Sequence, residues 1–296
     1  MSIQTHPSSD ELGEHALTVA GACALYVADR RAERGEACAH DAHKRFERTV
    51  YGTSFGATRV RELRTPAIKG WRDGLKLSHS SRNRTLTALR AALNLAVRSR
   101  LIAAETAREW QDVKPYRHAG QRRELFLDLA QRRALLKAAG GAVRDLMEAT
   151  MLTGARAGEL VNATAAQFNV HMQTMRLTGK TGTRTVPLSA AAVALFARRM
   201  RSAPSAERLL VRDDGKPWAH SDWDQLVRAA AANAGLPRGV CLYTLRHSFI
   251  TQALSDGMTT LEVARLVGTS LAMIDRHYGH LVNDALRERL ARVVMR

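Results

Sequence analysis

The 296-residue sequence predicts a mainly α-helical protein with two domains and one small antiparallel sheet. Apolar residues recur at three- and four-residue steps through most of the chain. This pattern is interrupted around Pro115 and Gly120, and one later segment places short β-branched runs on either side of a glycine-containing turn. We therefore expect flexible residues 1–14, a helical domain over 15–111, a linker over 112–124 and a mixed α+β domain over 125–296.

The N-terminal domain is predicted to be a small helical module with one basic side. Its first helix ends near Gly35, a second covers 41–50, and Ile68 and Trp71 belong to a further apolar stripe. A longer helix follows the polar entry at Ser78, and its buried face is predicted to contain Leu86, Leu89, Ala92, Leu93 and Ala96. The opposite side carries the candidate DNA-binding residues Arg82, Arg84, Arg90, Arg98 and Arg100.

The C-terminal domain is predicted to be helical apart from one hairpin. In segment 174–188, two runs with β-branched residues flank Gly179-Lys180-Thr181-Gly182, which indicates a β-hairpin with Lys180 at its turn. Helices are expected over residues 128–139, 142–152, 189–201, 220–234, 244–256, 260–267 and 282–295.

Composition excludes several classes of protein. With 45% apolar and 25% charged residues, the chain can bury a core, which excludes wholesale disorder. No window approaches the roughly 18 consecutive apolar residues of a membrane span, and the first residues lack the layout of a secretory signal. Cys23, Cys38 and Cys241 are widely spaced and fit neither a disulfide framework nor a metal site. We therefore expect a cytoplasmic protein with no membrane segment, metal or cofactor.

The positive charge is concentrated in one part of the sequence. The chain has 45 Lys and Arg residues against 28 Asp and Glu, a net charge of +17. Residues 1–42 carry a net charge of −4, whereas residues 43–100 carry 14 basic and 3 acidic side chains, or +11. A surface of this kind favours nucleic acid as the partner, with a merely solvated basic face as the alternative.

Four local patterns contain residues that can handle a phosphate, and each also has an ordinary structural explanation. Arg156 opens a helix after a glycine, where an anion would meet backbone N–H groups and a guanidinium, but an exposed helix corner looks the same. Lys180 at a hairpin tip is usually just solvated. Tyr243 and Arg246 lie one helical turn apart, which is common in plain helices. Tyr278, next to a glycine, is by itself most simply a turn residue.

Their combination is more specific than any one of them. Arg156, Lys180, Arg246 and Tyr278 occur in this order, separated by 24, 66 and 32 residues, and resemble the tyrosine recombinase, or phage integrase, family. The resemblance covers essentially the whole chain. It implies that the N-terminal domain is a helical, SAM-like core-binding domain that contacts DNA, and that the C-terminal domain is the catalytic domain.

The resemblance also implies a role for each matching residue. Tyr278 would attack a DNA phosphodiester, leaving a 3′-phosphotyrosine and a free 5′-hydroxyl. Arg156 and Arg246 would bind the two non-bridging oxygens, and Lys180 would protonate the departing 5′-oxygen. Glu159 matches an acidic position that supports the site. Two guanidiniums can stabilise the charge of the transition state without a metal ion, and covalent attachment conserves the bond energy without ATP.

Two positions depart from the commonest family pattern. Tyr243 stands where many members have His, three residues before the second arginine, and Thr269 stands where His or Trp precedes the nucleophile by nine residues. We include both among the candidate catalytic residues. His247 and His277, next to the two key positions, are candidate DNA-phosphate ligands, with a share in proton transfer or simple packing as alternatives.

The resemblance implies double-stranded DNA with specific recombination sites as the substrate. A homotetramer on DNA is expected, since recombination between two sites needs four active sites, and accessory DNA-bending proteins are compatible with it. Two other functions remain open: a non-catalytic DNA-binding relative of the same fold, and a strand-passing enzyme resembling type IB topoisomerases. Target sequence and biological event are not encoded in these motifs.

Overall fold

The computed structural model describes residues 17–117, 119, 125–179, 182–202, 207–219 and 221–279. The chain divides into two units, residues 1–121 and 122–296. The first unit contains α1 (Val19–Arg34), α2 (Glu36–Glu47), α3 (Ser54–Ala57), α4 (Thr65–Gly74), α5 (His79–Arg98) and α6 (Arg108–Gln111). The second contains α7 (Leu129–Ala138), α8 (Gly141–Thr153), α9 (Ala157–Leu160), β1 (Phe168–Asn169), β2 (Thr174–Gly179), β3 (Gly182–Pro187), α10 (Ala190–Ser202), α11 (Asp222–Asn233), α12 (Leu242–Ser255) and α13 (Thr260–Val267). Residues 271–279 are also helical and are called the Tyr278 helix below.

This architecture confirms the predicted mainly helical fold with one small antiparallel sheet. No helix of the described ranges combines the length and apolarity needed to cross a membrane. The predicted flexible residues 1–14, the predicted helix 282–295 and part of the predicted linker lie outside the described residues. The domain boundaries therefore stay predictions.

In the first unit, local caps fix the ends of the helices and an apolar core joins them. The Thr18 hydroxyl accepts a hydrogen bond from the Gly21 N–H at the start of α1, and the Ser78 hydroxyl accepts from Ser81 at the start of α5. α1 packs against both α2 and α5. All five apolar residues predicted for the inner face of α5 are buried, together with Phe46 and Trp110.

The basic side predicted for α5 is corrected by the structure. At 100° per residue, Arg82, Arg84 and Arg90 project in different directions around the helix. Arg84, Arg98 and Arg100 are exposed, but Arg82 and Arg90 are half-buried. The Arg82 Nε donates to the Leu75 carbonyl, while Arg90 donates to three backbone carbonyls, two at the end of α6 and one just after it. Two of the five candidates are thus engaged in holding the fold.

Residues 112–117, the first half of the predicted linker, are attached to the first unit. Val113 is completely buried. The Tyr116 ring stacks on His79 with ring centroids 4.2 Å apart, and the Tyr116 N–H donates to Asn83 Oδ1 at 2.8 Å. The Arg72 guanidinium lies over the Tyr116 ring, 4.3 Å from its centroid. These contacts leave only the residues after 117 as a candidate for a free linker.

The sheet of the second unit has the strand order β1-β2-β3, with both pairs antiparallel. β2 and β3 form the predicted hairpin, closed by the pair Gly179 and Gly182. Met175, Leu177 and Val186 point into the core, as the two-residue alternation of strands requires. Lys180 and Thr181, at the tip of the hairpin, lie outside the described residues. β1 was not anticipated.

Two glycines with positive φ end the helices that lead into the site. Gly154, with φ of 61°, ends α8, and Gly268, with φ of 66°, ends α13. A Cβ on Gly154 would lie 2.3 Å from a Phe249 ring carbon, and one on Gly268 would lie 2.4 Å from an Arg184 guanidinium nitrogen. Glycine is therefore required at both positions by backbone conformation and by close approach.

Candidate functional site

Arg156 lies at the start of α9, directly after the turn at Gly154. It is the N-cap residue of that helix, with extended backbone angles, and its side chain is 37% exposed. Because α9 begins so soon after α8 ends, the Arg156 guanidinium lies at the edge of the domain core. The helix–glycine–helix corner expected for an ordinary structural role and the arginine expected for an anion site are both present.

Glu159 is the anionic centre of this region. Its side chain is only 2% exposed, and its carboxylate accepts hydrogen bonds from the Arg156 backbone N–H at 2.9 Å and from Arg156 Nη1 at 3.1 Å. Two further bonds, both 2.9 Å, come from the Nη1 and Nη2 atoms of Arg184. Burial by itself would raise the pKa of Glu159, but the bonds from Arg184 and Arg156 outweigh it and lower the pKa. Glu159 is thus held ionised between two arginines.

Arg184 was not identified from the sequence. It lies on β3 and ties three segments together: its two Nη atoms hold Glu159 of α9, and its Nε donates to the Leu266 carbonyl of α13 at 2.9 Å. The close approach of Gly268 packs the end of α13 against the same guanidinium. One signal was available, since Arg184 precedes the buried Val186 by two residues and therefore shares its inward face.

Arg246 is buried on α12, one turn after Tyr243. Its Nη1 donates to the Gly154 carbonyl at 2.8 Å, which joins α12 to the turn that positions Arg156. Burial, followed by the positive charge of Arg156, lowers the pKa of Arg246 to about 10. Two guanidiniums in mutual electrostatic range, one of them desolvated, make this region strongly attractive to an anion.

Arg156, Tyr243 and Arg246 line one open cavity of about 400 Å³. Its wall also includes Ala157 and Gly158 from the first turn of α9, and Trp223 and Asp224 from α11, where the Asp224 carboxylate is paired with Arg228. Tyr243 is 55% exposed. The cavity is therefore a cationic recess on the second unit whose two guanidiniums come from sequence positions 90 residues apart.

Tyr278 reaches the same region from the Tyr278 helix. Its ring is buried in a small core with Ile250, Val263, Val267 and Ile274. Its hydroxyl is 2.7 Å from His247 Nδ1. Burial, together with Tyr243, raises the pKa of Tyr278, and the charge of Arg246 opposes that rise only in part. The phenol is thus held neutral and hydrogen-bonded, within electrostatic range of Arg246.

The remaining sequence-predicted residues lie around this core or outside it. Thr269 is half-buried just after Gly268, and its backbone N–H donates to the Ala264 carbonyl at 3.0 Å. His277 is half-buried on the Tyr278 helix. His247, predicted as a DNA ligand, is in contact with Tyr278, and its position beside Arg246 did not reveal this pairing. Lys180 lies outside the described residues.

The described residues contain no group of three His, Cys, Asp or Glu side chains close enough to share a metal ion. The three cysteines are free thiols, and Cys23 is buried in the first unit.

The first unit has a basic recess of its own. An open cavity of about 480 Å³ lies between α2, the start of α5 and residues 75–77. Arg45 forms an ion pair with Asp41, and Lys44 forms one with Glu47, whereas Arg48 and Lys76 are exposed and form no ion pair within the described part of the chain. The cationic side chains that line this recess are Lys44, Arg45, Arg48 and Lys76.

Comparison with known proteins identifies relatives of the second unit and of the whole chain. The phage integrase family model matches residues 125–284. The chain is 31% identical to tyrosine recombinase XerD of Mycobacterium tuberculosis over 232 residues, covering 72% of this chain and 73% of that protein. It is 26% identical to tyrosine recombinase XerD of Corynebacterium glutamicum over 253 residues, covering 79% and 83%.

Solved structures share the fold. The Tn1549 transposon integrase in complex with transposon right end DNA superposes with a TM-score of 0.77 at 19% identity, covering 93% of this chain and all of that one. A lambda integrase tetramer bound to a Holliday junction gives a TM-score of 0.70 at 14% identity, covering 90% of this chain and 78% of that one. Both alignments extend beyond the second unit, so the helical first unit is part of the shared architecture.

Proposed function

The chain belongs to the phage integrase family, and from that premise we propose that it is a site-specific recombinase that cleaves and rejoins double-stranded DNA through a 3′-phosphotyrosine intermediate. One observation carries the proposal. Arg156 and Arg246 line a single cavity, and Tyr278 lies within electrostatic range of Arg246. A nucleophile and two cations arranged in this way fit attack on one phosphodiester.

The two guanidiniums bind the non-bridging oxygens of the scissile phosphate. Arginine presents a rigid fork of N–H donors that matches phosphate geometry, and it stays charged at any physiological pH. Negative charge on these oxygens increases in the transition state, so the interaction is stronger there than with the bound substrate. The burial of Arg246 supports this role because a charge interacts more strongly with its ligand where water is excluded.

The chemical step exchanges one phosphate ester for another. The Tyr278 phenol oxygen attacks phosphorus, the bond to the 5′-oxygen breaks, and Lys180 supplies the proton that the 5′-oxygen takes up. The 3′-phosphotyrosine keeps the energy of the original bond, so a 5′-hydroxyl reverses the step and reseals a strand without ATP. Neither step requires a metal ion, because the two arginines stabilise the negative charge of the transition state.

The first unit contributes non-specific affinity for the DNA backbone. We place its phosphate contacts at the basic recess, because Arg48 and Lys76 there are exposed and carry unneutralised charge. Arg84 and Arg98 of α5 and Arg100 just after it are also exposed and remain available for additional phosphates. Neutralising phosphates releases counterions, so binding by this unit should weaken steeply with salt.

Recombination between two DNA sites requires four cleavage events, and we propose a homotetramer as the assembly that performs them. The fold is that of the lambda integrase tetramer bound to a Holliday junction, which supports a similar assembly on DNA. The rival function is a DNA binder without chemistry. It is favoured by the departures at Tyr243 and Thr269 from the commonest family pattern.

Covalent trapping tests the proposal directly. A pool of nicked duplexes with randomised sequence lets the protein select its own site, and the nick releases the leaving strand so that the adduct accumulates. The wild-type chain should give a denaturation-resistant DNA adduct with EDTA present. Tyr278→Phe should bind the same duplexes and give none, because the phenol oxygen is missing.

Tyr51→Phe is the matched control, since it removes a phenol that packs on the core of the first unit. It should keep the adduct. Adduct from Tyr278→Phe would remove this residue from the chemistry, and absence of adduct from the wild-type chain on every duplex that it binds would favour the non-catalytic binder. Relaxation of arbitrary supercoiled plasmids by a monomer would favour the topoisomerase-like alternative.

A further inference from the structure

We propose that His247 accepts the proton of Tyr278, at Nδ1, when that tyrosine attacks the phosphate. The proposal rests on the proposed function, in which Tyr278 is the nucleophile. It assigns a catalytic role to a histidine that the sequence suggested as a DNA ligand, at a site where the histidine usual in the family is replaced by Tyr243.

The geometry is that of a nucleophile with its base. His247 Nδ1 and the Tyr278 hydroxyl are 2.7 Å apart, and their ring centroids are 5.0 Å apart with the planes inclined by 47°. A neutral phenol has one O–H to donate, and a neutral imidazole accepts at the nitrogen that carries no proton. With the imidazole protonated at Nε2, the hydrogen bond therefore runs from Tyr278 to Nδ1, along the path that the proton would follow.

The fold makes this contact specific. His247 follows Arg246 on α12, so the helix that places a phosphate-binding guanidinium also places the base. Tyr278 is buried against Ile250 of the same helix and against α13, so its ring has little freedom to leave the histidine. The contact thus joins two segments that are 31 residues apart in sequence.

Other side chains near Tyr278 are poorer acceptors. Arg246 is a cation. Tyr243 carries another phenol, so it offers no gain in basicity over Tyr278 itself. His277 precedes Tyr278 on the same helix, where neighbours project about 100° apart. The Thr269 hydroxyl is a very weak base.

The proton balance suits a reversible reaction. As the bond from the Tyr278 oxygen to phosphorus forms and the bond to the 5′-oxygen breaks, the phenol proton moves to Nδ1 and leaves an imidazolium. In the rejoining step the same imidazolium returns the proton to the departing phenol oxygen. The imidazolium forms next to Arg246 on α12, and the negative charge of the bound phosphate offsets the repulsion between these two cations. Tyr243 on α12 is also within electrostatic range of Tyr278.

A purely structural alternative makes the opposite prediction. If His247 only holds Tyr278 in its buried position, removing the imidazole would free the phenol and adduct formation would become faster. If it only orients the ring through a hydrogen bond, a side chain with an acceptor but no basic nitrogen would replace it. His247→Ala and His247→Asn separate these roles, because Asn retains an acceptor that cannot take up a proton.

The experiment measures single-turnover adduct formation on one captured nicked duplex between about pH 6 and pH 9. A base of this kind contributes about 10²- to 10⁴-fold, so both variants should slow by that factor while binding DNA as the wild-type chain does. Their rates should also rise with pH more steeply than the wild-type rate, because hydroxide must then take the proton.

Three results would overturn the inference: an Asn variant as fast as wild type, acceleration in both variants, or slowing with an unchanged pH profile. In each of them the wild-type chain still forms adduct, so the proposed function survives. Failure of the wild-type chain itself to form adduct would instead remove the proposed function, and the role of His247 with it.

Discussion

Two arginines, one in each unit, use the same chemistry for different ends. Arg90 of α5 donates from Nε to the Trp110 carbonyl at 2.9 Å and from Nη2 to the carbonyls of Gln111 and Val113. Arg246 of α12 donates from Nη1 to one carbonyl, that of Gly154. Burial is the main reason that the pKa of each lies below its ordinary value.

The two arginines differ in how many backbone carbonyls they bind and in whether they line a cavity. Arg90 joins α5 to the end of α6, and its hydrogen bonds offset the free energy lost when its guanidinium is removed from water. Arg246 is more deeply buried, donates one such bond, and lines a cavity together with Arg156. A desolvated cation beside a second cation costs stability, which is a recurrent property of residues kept for function. Counting carbonyl partners therefore separates a structural arginine from a ligand-binding one.

The largest effect is expected from replacing Arg246, which tests whether this arginine binds a ligand whereas Arg90 holds the fold. Arg246→Gln removes the charge but can keep a donor near the Gly154 carbonyl. We expect adduct formation to slow about 10³-fold, as for loss of one strong transition-state contact. The variant should nevertheless melt no lower than the wild-type chain.

The expected direction of the change in Tm follows from the lowered pKa of Arg246. Because folding lowers the pKa of Arg246 to about 10, the charged form is less favourable in the folded chain than in the unfolded one. That cost is fully present below about pH 10, and it declines as the pH rises from the folded pKa towards the ordinary pKa of arginine in the unfolded chain. Single-turnover trapping checks the slower adduct formation, and thermal melting at neutral pH checks the Tm. A clear drop in Tm would place Arg246 with Arg90 among the structural arginines.

Arg184 offers a test of intermediate size, because it shares one carboxylate with Arg156. With Arg184 replaced by Gln, Glu159 keeps Arg156 as its only cationic partner among the bonds described above. The Arg156 guanidinium should then be held more firmly by Glu159 and be less available to a phosphate. We expect Arg184→Gln to slow adduct formation roughly tenfold, in line with coupling energies within a hydrogen-bonded network.

A double variant distinguishes this competition from simple loss of support. Arg184→Gln combined with Glu159→Gln removes the carboxylate that retains Arg156, so the double variant should recover part of the rate lost in Arg184→Gln. Arg184→Lys is a useful companion, since it keeps the charge but loses the two-pronged contact with Glu159. If the two Gln substitutions slow the reaction additively, Arg184 acts only by bracing β3 against α13.

The fold could be predicted where local sequence determines it. α13 was expected over residues 260–267 and has those bounds, because Thr259 and Glu262 form a capping box at its start and Gly268 ends it. The hairpin followed from the paired glycines around its turn. Local sequence does not predict the Tyr278 helix, since a tyrosine beside a glycine also fits a turn. Its apolar residues pack on α12 and α13, a tertiary effect that local patterns do not reveal.

The candidate site was predictable residue by residue but not in its contacts. Spacing along the chain identified Arg156, Arg246 and Tyr278 as a set. It did not reveal that His247 bonds to Tyr278 or that Arg184 bonds to Glu159, because each pair joins residues 25 or more positions apart. Nor did it reveal the hydrogen bonds of Arg90, since a basic residue on a helix gives no indication of backbone carbonyls 20 residues later in the sequence.

The smallest expected effects separate two arginines of the first unit, Arg48 in the basic recess and Arg90. Arg48 is exposed, so Arg48→Gln should leave the Tm unchanged. It should weaken binding to unrelated duplexes by similar factors and reduce the slope of log K against log salt by about 1. Arg90→Gln should do the reverse: it should keep the slope and lower the free energy of unfolding by about 2 kcal/mol, because it leaves backbone carbonyls without their donors. Salt titrations and melting curves of both variants decide the matter. A reduced slope in Arg90→Gln with no change in Tm would restore it as a DNA contact and would show that carbonyl partners alone do not mark an arginine as structural.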